Sequence, residues 1–221
     1  MTAGKGLLMA GCLLLVALPG IAASVSDPSD GCAEPTLRRE LLQRRDVDQS
    51  ARNALTASPT SKEALDNVLS VDADNARFMR GVLAECGWPK RSTIGEEAAR
   101  AAWLLTQHAD MDPQYQVLAG QQMKLAVLEG EADARQLASL VDRNRRLNDQ
   151  PQVYGMQYFA SAQGVIEFYD IVTPAQLDER RLEIGLESFY CWVQRLSSGK
   201  KDAALVWPAG VLFVPSTCKA D

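Results

Sequence analysis

STIGEEAARAAWLLTQHADMDPQYQVLAGQQMKLAVLEG, residues 92–130, contains two consecutive helices and the break between them. Ser92 or Thr93 precedes Glu96-Glu97, acids that suit the positive end of a helix, and Trp103, Leu104 and Leu105 carry that helix to His108. Asp112-Pro113 then joins a capping side chain to a proline at the first helical position, where its missing N–H has no partner to lose. Tyr115, Leu118, Leu125 and Leu128 recur at helical spacing, and Gly130 closes the element. Two helices joined by so short a break pack as antiparallel neighbours.

The same pattern extends both ways. Upstream, Leu37, Leu41 and Leu42 form an apolar face within Pro35–Leu55, amid Arg38, Arg39, Arg44 and Arg45. Ser61–Leu69 is expected as a short second helix, with Asp72 capping a third that runs through Phe78, Val82 and Leu83 until Gly87-Trp88-Pro89 stops it. Downstream, Leu137, Leu140 and Val141 share one face. After Thr173-Pro174 the stripe Leu182, Leu186, Phe189, Val193 and Leu196 is the clearest in the chain. The helical period fails over Gln152–Phe159 and Val165–Tyr169, which are aromatic and β-branched and flank a turn-like Ser161–Gly164, so a hairpin is expected there. The predicted fold is mainly α, an antiparallel helical array with one small inserted β-hairpin. Residues 37–197 form one domain, between an N-terminal tail at 25–36 and a C-terminal tail at 198–221.

Composition agrees with one globular domain: 47% of the 221 residues are apolar and 23% charged. The net charge of −5 disfavours a nucleic-acid binder, which carries a basic footprint. His108 is the only histidine, so a polyhistidine metal site within one chain is impossible. Residues 1–24 read as a secretory leader: Lys5, an apolar run from Leu7 to Leu18, a break at Pro19-Gly20, then the small Ala22, Ala23 and Ser24. That run is too short for a comfortable transmembrane helix, and the mature chain has none. A competing reading makes Met9-Ala10-Gly11-Cys12 a lipobox, but the apolar run continues past Cys12. The expected location is the periplasm or beyond the cell, with a mature charge of −6 from 22 bases and 28 acids.

Export places the remaining cysteines in an oxidising compartment, where an even number reads as two disulfides. Three pairings are open. Cys32 with Cys218 would tie the two ends together and leave Cys86 with Cys191, while buried free thiols are the alternative.

Several segments in order resemble a bacterial family of unknown function, DUF6624. They are Gly87-Trp88-Pro89, Gly95, Trp103 to Asp110, Asp142-Arg143, Gln152-Val-Tyr-Gly-Met-Gln157 and Arg180-Arg181, with Asp48-Gln49-x-x-Arg52 and Asp72-x-x-Asn75 upstream. The likeness runs from about Leu37 to about Tyr190 and departs at Met156, where threonine is expected. It implies domain limits but no reaction.

The polar members of these motifs form the candidate ligand pocket: His108, Asp110, Gln116, Asp142, Arg143, Gln152, Tyr154, Gln157, Arg180 and Arg181. If the helix ends converge, the set suits a polar or anionic ligand, since guanidinium groups bind carboxylate or phosphate bidentately. The same residues also suit a purely structural network, with Asp142 paired to Arg180 or Arg181 and the glutamines satisfying loop backbone. No Gly-x-Ser-x-Gly elbow, phosphate loop or Cys-x-x-Cys pair occurs, and Glu179, Glu183 and Glu187 read as a solvated helix face. No cofactor and no metal are expected, and His108, Asp110 and Asp142 would make a poor zinc set. Two functions follow. One is an exported non-catalytic binding protein, an inhibitor or immunity-type partner of a basic toxin or cell-wall enzyme. The alternative is a small cell-envelope hydrolase with His108 as general base, oriented by Asp110 or Asp142.

Overall fold

The computed structural model describes residues 1, 32, 34–161, 164–198, 204–215 and 217–218. The rest of the expected leader, Cys12 included, lies outside the described residues. Helices dominate, in the order α1 (Glu34–Ala57), α2 (Lys62–Cys86), α3 (Arg91–Ile94), α4 (Glu96–Gln107), α5 (Pro113–Leu128) and α6 (Ala134–Leu147). A two-stranded hairpin follows, β1 (Tyr158–Ala160) and β2 (Ile166–Phe168), then α7 (Leu177–Glu183) and α8 (Phe189–Ser198). The mainly α array with one inserted hairpin is the fold expected from the sequence.

Local signals account for most boundaries. Ser61 accepts the Ala64 N–H, Asp112 that of Tyr115 and Asp133 that of Gln136, so three helices begin on side-chain caps. Three expectations fail at this level. Residues 62–86 form one helix rather than two, because no glycine or proline falls between Leu69 and Asp72, and Asp72 turns to an ion pair with Arg52 instead of capping. In α5 the buried face is Tyr115, Gln116, Ala119, Met123 and Ala126, while Leu118, Leu125 and Leu128 face solvent. The helix is apolar on two sides, and the smaller residues are the ones that fit against its neighbours. The late stripe is split, since Gly185 takes φ +79° between α7 and α8 and leaves Leu182 outside.

The principal core joins Leu37 and Leu41 of α1, Met79 and Leu83 of α2, Leu105 of α4, Met123 of α5 and Leu137 and Leu140 of α6. A second cluster gathers Ile171, Leu177, Phe189, Val193 and Val211, with Phe168, Leu205 and Trp207 against it. The segment after α8 therefore returns to the body, bridging Ile166 at Leu205.

Both disulfides form, in a pairing different from the expected one: Cys32–Cys86 and Cys191–Cys218. The reason is the helical hairpin. Cys32 precedes α1 and Cys86 ends α2, so antiparallel packing brings their Cα atoms to 5.7 Å. Among the described residues, no helix is long and apolar enough to cross a membrane.

Candidate functional site

Asp48, Gln49 and Arg52 lie on one stretch of α1, Asp72 on α2, and His108 at the C-terminal cap of α4. These elements meet where α1 packs on both α2 and α4. Asp48 is fully buried, and both of its oxygens face His108 Nδ1, at 2.9 and 3.1 Å. Arg52 Nε lies 3.0 Å from the same nitrogen and 3.3 Å from Asp48 Oδ1, while its Nη2 donates to Asp72. Gln49 Nε2 donates to Asp48 Oδ2 at 2.7 Å.

One nitrogen cannot both donate to a carboxylate and accept from a guanidinium. The network is satisfied if Nδ1–H donates to Asp48 and the Arg52 Nε–H turns to Asp48 Oδ1, which leaves the lone pair on Nε2. His108 and Asp72 both line a cavity of about 220 Å³ whose wall includes Ala76, Arg80 and Met111. Burial pushes the Asp48 carboxyl up, but the hydrogen bond and charge of His108, then Gln49 and Arg52, outweigh it and hold it below the usual range. Asp72 goes the other way, burial prevailing over Arg52. Asp48, Asp72 and His108 bring ligand atoms within 4.8 Å of one another, a spacing that could suit a cation. Arg52 already provides the positive charge there, bonded to both carboxylates, and no step is assigned to a metal.

The remaining predicted pocket residues divide into two further groups. Asp110 pairs with Arg143, whose Nε lies 3.0 Å away, and takes a long 3.4 Å contact from Gln116. Gln116 also donates to the Thr106 and Gln107 carbonyls and accepts from Asn144, tying the α4–α5 loop to α6.

Asp142 is the centre of the second group. Its Oδ1 accepts the N–H groups of Val153 and Tyr154 at 2.7 and 3.0 Å, and its Oδ2 accepts that of Met156 at 2.9 Å. The opposite, carbonyl side of the same loop goes to arginines: Arg180 Nε to Val153 O at 3.0 Å, and the fully buried Arg181 to Tyr154 O. Burial pulls Arg181 down to about 10, against Glu187, Asp178 and Asp142, so it stays cationic at neutral pH. Gln152 closes the loop, its amide donating to Gln157 O and accepting Gln157 N–H at 2.9 and 2.8 Å. Residues 152–157 are therefore a clamped loop rather than the first half of a strand. Among the described residues Asp142 makes no direct hydrogen bond or ion pair to Arg180 or Arg181; the loop backbone lies between them, Arg181 adds a longer-range attraction, and neither Asp110 nor Asp142 orients His108.

The sequence reading missed Asp48, Arg52 and Asp72 as site residues. A signal was present: all three belong to the two upstream motifs that carried the family likeness.

Fold and site together define a small disulfide-bonded helical domain built around a carboxylate-held histidine. The chain belongs to DUF6624, a family of unknown function whose model matches residues 35–201. No curated protein and no solved structure matches it significantly.

Proposed function

We propose that this chain is a small hydrolase in which His108 is the general base. The observation that carries the proposal is Asp48, buried from solvent and 2.9 Å from Nδ1 of a histidine on a cavity wall. In this mechanism Nε2 removes a proton from a water as its oxygen bonds to an acyl carbon. The imidazolium so formed is stabilised by Asp48 and returns the proton to the departing oxygen or nitrogen as the acyl bond breaks. Arg52 and Gln49 keep Asp48 ionised and fixed; they position, and do not touch the reacting atoms. The leader and the two disulfides favour an envelope substrate outside the cytoplasm.

The test is turnover of envelope-derived esters and amides by the purified, oxidised chain. His108→Ala should remove roughly 10²–10⁴-fold of the rate in a protein that still folds. Full activity in that variant sinks the proposal.

A specific observation also favours the binding-protein reading: Leu118, Leu125 and Leu128 form an exposed apolar row on α5 of an acidic chain. A basic partner would then associate more slowly as salt rises, and equally well with His108→Ala.

A further inference from the structure

A second cavity, of about 250 Å³, lies between α5 and α6, and the proposed chemistry does not use it. Its walls are mostly apolar, with Val117 from α5, Leu137 and Val141 from α6, and Val153 from the clamped loop. Gly120 is the reason there is room on the α5 side: a Cβ there would meet Val141 at 3.6 Å, an ordinary contact, and any longer side chain would enter the cavity. Gln116 and Asn144, the buried amides on the wall, are already bonded to each other. They ask nothing of an occupant.

The charges at this cavity are of one sign. Lys124 and Arg145 are its only charged lining residues among the described residues, in a chain whose net charge is −5. Arg145 uses Nε on the Pro151 carbonyl, and Lys124 is exposed with no hydrogen-bond or ion-pair partner among the described residues. The arginine of the His108 group, Arg52, is by contrast taken up by Asp48 and Asp72. An apolar slot with cations at its rim selects a molecule with a short hydrocarbon body and an anionic head. The volume falls below the roughly 300–1,000 Å³ of drug-sized sites, which limits that body to a single chain of medium length.

We infer that the α5–α6 cavity binds a medium-chain carboxylate, its hydrocarbon against Val117, Leu137 and Val141 and its carboxylate between Lys124 and Arg145. The probe is octanoate, titrated calorimetrically into the full oxidised chain, with octan-1-ol and octylammonium as neutral and cationic counterparts. Octanoate should bind one to one, at least tenfold tighter than octan-1-ol, with octylammonium weakest. Lys124→Glu should weaken octanoate at least tenfold and leave octan-1-ol unchanged. Gly120→Leu should abolish binding of both, whereas Gly120→Ala should retain it. If Gly120→Leu does not fold, Lys124→Glu alone decides, because it alters an exposed side chain. His108→Ala should leave every one of these affinities as they are, so the outcome is separate from that of the hydrolase proposal. Equal affinity for octanoate and octan-1-ol, no octanoate binding at millimolar concentration, or binding that survives Lys124→Glu would overturn the assignment.

Discussion

Removing the Asp142 carboxylate should separate a structural role from a catalytic one. In Asp142→Ala the N–H groups of Val153, Tyr154 and Met156 lose their acceptor together. Each buried donor left unpaired costs about 1–3 kcal/mol. Water entering the vacated space recovers part of that, so the net loss should be about 3–5 kcal/mol, a large share of the roughly 5–15 kcal/mol that holds a domain folded. Asp142→Asn makes the distinction sharper. Its remaining oxygen can serve Val153 and Tyr154, while its amide meets the Met156 donor with a donor. It also sheds a buried charge. About 1–2 kcal/mol is then expected, well short of the alanine value. Urea unfolding of the oxidised proteins, followed by far-ultraviolet circular dichroism, gives both numbers. The reasoning is refuted if alanine costs under about 1 kcal/mol, or if asparagine costs as much as alanine, since the charge and not the donors would then be what matters.

Three further outcomes follow from neighbouring features. Gly155→Ala should cost at least about 2 kcal/mol in thermal unfolding, because φ is +73° and the new Cβ would sit 2.7 Å from the Phe189 ring. Opening Cys32–Cys86 should destabilise by about 4 kcal/mol and opening Cys191–Cys218 by about 3.5, from loops of 54 and 27 residues; single cysteine-pair replacements with equal losses would contradict that ordering. Asp48 has its carboxyl held below the ordinary range when folded, so at acid pH the unfolded chain takes up its proton first. The stabilisation is present above the unfolded carboxylate range and lost as pH falls through the folded value; urea midpoints from pH 7 to 3 should fall less steeply in Asp48→Asn than in the parent.

Helices were legible where they are specified locally. Ser61 and Asp112 each cap through their own side chain, and Gly87 and Gly130 both take positive φ at helix ends, so short windows of sequence carry those boundaries. What failed depended on other helices. Leucines recur on α5 as they would on a buried face, yet the face that packs is the one with Ala119, Met123 and Ala126, because α4 and α6 approach it closely. Asp72 has the composition of a cap and is a mid-helix partner of Arg52, twenty residues earlier. The cysteine pairing failed in the same way: a hairpin of two long helices decides which thiols meet, and chain ends do not.

The candidate site shows why a list of polar residues is not yet a site. Asp48 and Asp142 are both helix-borne aspartates buried from solvent, and their surroundings differ in kind. Asp142 is held by neutral backbone donors, and burial drives its pKa up in spite of them. Its hydrogen bonds are spent on the backbone of the clamped loop, and its part is to hold that loop in place. Asp48 is held by the ionisable His108, the amide of Gln49 and the charged Arg52, and their combined effect overrides burial and keeps it anionic. A carboxylate of that kind can face an imidazole through gain and loss of a proton, because the charge it must balance is one its environment already favours. Nothing in the one-dimensional pattern separates these two aspartates. The separation comes from what α1 and the end of α4 bring to Asp48, sixty residues from its histidine.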